Sequence, residues 1–332
     1  MLFGVHLPNS GPFAFLEALV SVARAAESLG YDAVQPHDHI TWGMEDKYHF
    51  YCGAAEAADA RERPTDFLDA MTAMSYLAGV TSRVKLIPSA LCLAWRDPTV
   101  FARQALTLHQ LSKGRFVLNV CVGNIRNDFN VVGAPWEERG KIAVEKLKFL
   151  RLLIDGEGPI SFQGNYVKIE GAEMNPRPRG LPLWYAGTSE AAVRRAARYC
   201  EGWWPAASPE YFRAKIPEIY RLAAEAGRGD VRFQFGSEAF TCVGATDDEA
   251  WRLAEKTIDA HSKSEWMQRH DAEARKRRAP LVGSPQTVAT AVREYESAGA
   301  TRLNLCFIGR TLDEVLEQME MFAREVVPLA AS

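Results

Sequence analysis

Eight short apolar runs, most of them followed by a stretch with helical periodicity, constrain this chain more than any single residue does. They are LFGVH (2–6), YDAVQPH (31–37), VKLIPSALCL (84–93), GRFVLNVCVG (114–123), LPLWYAG (181–187), GWWP (202–205), VRFQFGSEAFTCVG (231–244) and TRLNLCF (301–307). The segments between them repeat apolar residues every three or four positions. Leu16, Leu19, Val20, Ala23 and Ala26 mark one such stripe, stopped by Gly30. Pro98 opens the helix predicted over 97–112, and the helix over 137–153 has glutamate early and arginine late, as the helix dipole favours. Strand–helix alternation implies parallel strands joined by right-handed crossovers. Eight units predict an α/β fold, a (β/α)8 TIM barrel, ahead of an open doubly wound sheet. The open sheet would also want a GxGxxG or GxxxxGK[ST] turn, which the chain lacks.

One barrel domain over 1–332 is expected, with insertions at about 42–64, 155–180 and 261–280. The middle one reads as a small hairpin, EGPISFQGNYVKIEG, followed by a loop, NPRPRG. The outer two are long and polar, and long βα loops lie over the barrel mouth, at the C-terminal ends of the strands. The run RKRR (275–278) is a solvated face or, on a sharper reading, a charged lid over an anionic cofactor.

A net charge of −3 gives no basic footprint for nucleic acid or for anionic lipid. No apolar run reaches the ~18 residues that span a bilayer, and the start, MLFGVHLPNSG, lacks the basic and apolar regions of a signal peptide. Six cysteines without a CxxC, two of them (Cys121 and Cys306) inside apolar runs, suit reduced thiols and the cytoplasm.

QPHDHITW (35–42) sets two histidines two residues apart, which on a strand point to one face. His-x-His at a strand tip can begin a metal site, and His6 could join it. A barrel metal hydrolase also needs histidines or carboxylates ending other strands. The fifth and sixth strand ends, WYAGTSE and GWWPAAS, offer none, and TRLNLCFIG has no aspartate. No metal is expected, and the metal-dependent hydrolase stands as the alternative from another class. Gly187, Thr188 and Ser189 stand where a strand turns into a helix, which makes either an anion site or an ordinary N-cap. CVGNIRNDF offers a second glycine turn, at Gly123 and Asn124.

Taken in order, GYDAVQPHDH, LTLHQLSKGRFVLNVCVGN (106–124), VVGAPWEERGKIAVEKLKFLR (131–151), PLWYAGTSEAAVRRAARYCEGWWP (182–205) and VGSPQTVATAVREYESAGATRLNL (282–305) resemble the bacterial luciferase-like oxidoreductases nearly end to end. The resemblance implies a (β/α)8 barrel that holds reduced FMN or the deazaflavin coenzyme F420 at its mouth. Asp38 and His39 resemble the family's acid–histidine pair beside the ring, with His39 as general acid/base or as a hydrogen-bond partner of a substrate oxygen. Trp42 resembles a loop aromatic of some deazaflavin members, and Trp42 and His6 are assigned to the substrate. Ser89, Ala90 and Leu91 resemble the bulge that backs the ring, which in the deazaflavin branch often carries a non-proline cis peptide. Val122, Gly123 and Asn124 resemble the turn that touches the ring or ribityl chain. Ala186, Gly187, Thr188 and Ser189 resemble the phosphate-binding turn, with Arg139 as a further cofactor residue. Asn119-Val120-Cys121 departs from the Gly-Val-Gly of many members, so Asn119 would point into the barrel; Pro36 is also unusual, and His37 matches no family role.

The resemblance implies hydride exchange between coenzyme F420, which is slightly favoured, and a small organic substrate. The alternative is an FMNH2-dependent monooxygenase using O2 and supplied by a separate flavin reductase. A homodimer is implied by the same resemblance.

Overall fold

The protein is described by a computed structural model covering residues 1–41, 66–177, 179–262 and 281–331, with the backbone alone over 259–262. Trp42, the insertion at 42–64 and the RKRR run lie outside the described residues.

Twelve strands are described: β1 (Leu2–His6), β2 (Ala33–Gln35), β3 (Lys85–Leu86), β4 (Leu91–Cys92), β5 (Leu118–Cys121), β6 (Ile160–Gln163), β7 (Lys168–Ala172), β8 (Leu183–Ala186), β9 (Gly202–Trp204), β10 (Gln234–Val243), β11 (Leu281–Gly283) and β12 (Arg302–Phe307). The main sheet runs β3-β2-β1-β12-β10-β9-β8-β5-β4. Its pairs are parallel. Leu86 closes the circle: it accepts from Val117 and donates to Arg115, forming a parallel bridge to Phe116. The predicted third strand is thus split. Its first half pairs with β2, its second half with β5, and residues 87–90 bulge between them. Counted as one strand, β3 and β4 complete the (β/α)8 barrel.

The helices are α1 (Leu16–Ser28), α2 (Ala70–Val80), α3 (Pro98–Leu111), α4 (Arg126–Val132), α5 (Arg139–Asp155), α6 (Glu190–Tyr199), α7 (Pro209–Glu225), α8 (Asp247–Ser262), α9 (Pro285–Ser297) and α10 (Leu312–Met321), the last continuing through a π turn to Ala331. Several begin on side-chain caps. Asp97 accepts from the Thr99 and Val100 amides ahead of Pro98, and Ser189, Ser284 and Thr311 cap α6, α9 and α10.

Three details differ from the sequence reading. The buried face of α1 is Ala18, Leu19, Val22, Ala23 and Ala26, with Leu16 49% exposed, because the helix rolls its smaller residues onto the sheet. β11 was not anticipated; it pairs with the far end of β10, beyond the barrel wall. The 155–180 insertion does contain the expected hairpin, β6 with β7, but as a separate antiparallel sheet.

The barrel is filled. Trp184 and Trp204 stack with centroids 5.8 Å apart. Glycines on the neighbouring strands make the room: a Cβ at Gly202 would meet the Trp184 ring at 2.5 Å, and one at Gly236 the Trp204 ring at 2.1 Å. Below them Arg302, 1% exposed, pairs with Asp32. No helix among the described residues is long and apolar enough to cross a membrane.

Candidate active site at the barrel mouth

The split in the third strand forms the centre of the mouth. The Ser89–Ala90 peptide is cis, at the position where the family resemblance implied such a bond. The bulge is held from several strands at once. Ser89 N donates to Pro36 O at 2.9 Å, and Asn119 Nδ2 donates to Pro88 O at 2.9 Å. The His37 ring meets Ser89 O at 3.3 Å, and Cys121 Sγ lies 3.4 Å from Ala90 O. Ser89 Oγ donates to Glu238 Oε2 at 3.0 Å. Asn119 does point into the barrel, and its inward amide supports the bulge.

His37 and His39 part company once β2 ends. His37 is 8% exposed, donates its amide N–H to Asn9 Oδ1 at 2.9 Å, and lies 3.9 Å from the His6 ring, centroid to centroid. Burial first, then the neighbouring His6, hold its pKa well below the ordinary histidine value, so the ring is neutral. His39 is less enclosed, with 16% of its side chain exposed, and its Nδ1 lies 3.0 Å from Asp128 Oδ2. Asp128, fully buried in α4, also accepts the amides of Ile40 and Thr41 through Oδ1 at 3.1 and 2.9 Å. One carboxylate therefore fixes both the ring and the backbone that carries it.

Asp38 does not serve as the partner of the His39 ring. It takes a two-pronged contact from Arg96, at 2.6 and 2.7 Å, and the Cys92 amide at 2.9 Å. The acid–histidine pair is His39 with Asp128, which corrects the Asp38–His39 pairing. Asp38 instead ties the β2 tip to the segment after β4. Lys146 fastens that segment from α5, donating to the carbonyls of Leu93 (2.9 Å), Ala94 (3.2 Å) and Arg96 (2.5 Å). Burial pushes its pKa down to about 8.

The opposite wall brings His6, Glu238 and Cys306 together, all buried, with potential ligand atoms within 4.8 Å of one another. This is the one group of its kind among the described residues, and it excludes both histidines of QPHDHITW.

The two glycine turns also face the mouth. Gly123, at φ +85°, packs so tightly that a Cβ would meet Cys92 Sγ and the Phe129 ring at 2.7 Å; Asn124 beside it is exposed and Val122 is half-buried. Gly187, at φ +130°, donates to Trp204 O at 3.0 Å and accepts from Trp203 Nε1 at 2.9 Å. The Thr188 carbonyl is held by the Tyr211 hydroxyl, and the exposed Ser189 caps Ala192 N at 3.2 Å. Ala186 is half-buried at the strand end. Arg139 lies over the Trp136 ring at 3.8 Å and donates to Trp136 O, and Trp136 meets Phe129, and Phe129 meets Trp95, edge to face. Arg195 is the cation of α6 that reaches back, to Tyr185 Oη and Gly140 O at 3.2 Å each. Two surface hollows of about 390 and 410 Å3 border Arg177 and Arg179 near the 155–180 insertion, away from these strand tips.

Sequence reasoning missed Asp128, Arg96 and Glu238. Asp128 carried a faint signal, an acid in the first turn of a helix opening beside a strand tip. Glu238 carried a clearer one: it interrupts an apolar strand at the same inward register as Gly236. Nothing marked Arg96 except its place just after a strand.

The chain belongs to the luciferase-like monooxygenase family, whose model matches residues 3–302. It is thus an oxidoreductase of that family. It is 29% identical over 257 residues to an uncharacterised protein of Mycobacterium tuberculosis, covering 74% of this chain and 86% of the relative. It is 25% identical over 282 residues to the FMNH2-dependent dimethylsulfone monooxygenase of Pseudomonas fluorescens, covering 76% and 75%. Among solved structures, an F420-dependent secondary alcohol dehydrogenase, bound to an F420–acetone adduct, matches with a TM-score of 0.80 at 20% identity over 99% of this chain and 98% of that one.

Proposed function

We propose that this enzyme holds a flavin-type cofactor, coenzyme F420 ahead of FMN, against the Ser89–Ala90–Leu91 bulge and uses it to exchange hydride with a small organic substrate. The observation that carries this reading is the His39–Asp128 pair standing beside a bulge clamped from five other positions. The fit can be judged on the residues themselves. The bulge gives a flat backing, Gly123 and Gly187 supply turns without side chains, and α6 aims its N-terminus at the mouth for a phosphate ester. When bound, the cofactor supplies the redox chemistry.

This chain's residues supply orientation and one proton position. Asp128 accepts from His39 Nδ1–H and so orients the ring, and His39 would take a proton from, or return it to, a substrate oxygen. Asp38 and Arg96 fix the loop that presents His39. His37, neutral and buried, supports the bulge. His6 faces the substrate, and the same role is proposed for Trp42. The described cysteines form no disulfide, in keeping with a cytoplasmic enzyme.

A second reading, an FMNH2-dependent monooxygenase using O2 and a separate flavin reductase, is favoured by the 25% identity to the dimethylsulfone enzyme across three-quarters of both chains. Titration of the purified protein with F420 and with FMN, each oxidised and reduced, tests both. Tight binding of F420 alone supports the first reading, and of FMN alone the second. Binding of neither, or stoichiometric zinc in the purified protein, would overturn both.

A further inference from the structure

We propose that Glu238 is a positioning residue beneath the cofactor site whose carboxylate holds the midpoint potential of the bound cofactor down; this rests on the ring site proposed above. Three observations point to it. The first is topological. Counted either way round the wall, β10 is the fourth strand from the β3–β4 bulge, so the Ser89–Glu238 hydrogen bond spans the barrel. The second is register. Ser237 faces outward to Ala207, while Gly236 and Glu238 face inward; Gly236 yields its space to Trp204, and Glu238 closes the floor above that tryptophan. The third is burial, since Glu238 is 5% exposed beside His6 and Cys306.

The other groups that hold the bulge are the Asn119 amide, the neutral His37 ring, the Cys121 thiol and the Pro36 carbonyl. Glu238 alone among these brings a carboxylate. Inside a protein a fixed charge acts more strongly than in water. A flavin-type ring becomes electron-rich on reduction, so a carboxylate anchored under its backing disfavours the reduced form relative to the oxidised one. The bound cofactor is thereby a stronger hydride donor. Ser89 couples the two, because its hydroxyl proton is committed to Glu238 and its oxygen is left to accept.

The experiment is spectroelectrochemical titration of the protein loaded with whichever of F420 or FMN it binds. Glu238→Gln keeps the shape and the acceptor for Ser89 but removes the charge. The oxidised-to-reduced affinity ratio should fall about tenfold, which raises the midpoint potential of a two-electron couple by about 30 mV. Glu238→Asp should restore most of the wild-type potential. Ser89→Ala, which removes that coupling, should raise the potential in the same direction by a smaller step. A loaded Glu238→Gln protein with wild-type potential, or equal weakening of both forms, overturns the role of Glu238 and leaves the ring site standing. A wild-type protein that binds neither cofactor overturns the ring site, and this inference with it.

Discussion

The base and the mouth of the barrel use charge in opposite ways. At the base, charged groups are matched and capped. Arg302 meets Asp32, and Arg151 and Arg228 share Glu201. Arg115 spends its guanidinium on Ala78 O, Thr81 O, Thr81 Oγ1 and Val84 O. At the mouth, titratable groups crowd together: two histidine rings in tilted contact, Glu238 and Cys306 on one side, His39 on Asp128 on the other. The base therefore stabilises the fold, while the mouth holds groups that can exchange protons or shape the field around a ligand.

The contrast breaks if either end does the other's work. His39→Ala should cut turnover about 10²–10⁴-fold while leaving the thermal midpoint nearly unchanged, a split read by steady-state kinetics beside a melting curve. An equal loss of stability with turnover retained would place His39 with the structural residues. Arg302→Ala should do the reverse. It leaves Asp32 to the more distant Lys85, 3.8 Å away, and opens space beside Trp184, at a cost of about 3 kcal/mol in chemical denaturation, with turnover per folded molecule unchanged.

Lys146 sharpens the comparison, since it is a mouth-side cation with a supporting job. Its folded pKa, about 8, lies below the ordinary lysine value of 10.5, so between those limits the native state binds fewer protons than the unfolded chain. Stability contributed by this site therefore rises with pH across that window, and the penalty is fully present below about pH 8. Denaturation of the wild type and Lys146→Met from pH 7 to pH 10.5 should show the wild type gaining relative to the variant; a constant difference would refute the linkage. The smallest expected effect is at the Gly187–Ser189 turn. Ser189→Ala removes the α6 cap and should cost about 1 kcal/mol, with weaker binding of a phosphate-bearing cofactor if the turn holds its phosphate.

Much of the architecture was legible because its signals are local. Period-two and period-3.6 patterns, the Asp97-Pro98 helix start and the glycines at 123 and 187 depend on residues close together in sequence. The site was legible only in part. The tip of β2, the bulge and both turns were located from the sequence. The partner of His39 was not, because Asp128 lies 89 residues away, beyond the nearer and misleading Asp38. Arg96 claims Asp38 from 58 residues off.

The sequence by itself determined the order of strands, helices and turns around the barrel, though not β11 or the break in the third strand, since backbone conformation and burial pattern are set largely by near neighbours. It also determined that polar strand tips would gather at one end, because parallel strands share a direction. Only the tertiary structure decided which of those groups meet. Closing the barrel brings Ser89 to Glu238 across 149 residues, splits the roles of His37 and His39, and commits Asp38 to Arg96. Those pairings depend on curvature, stagger and side-chain reach, none of which is set by sequence spacing alone.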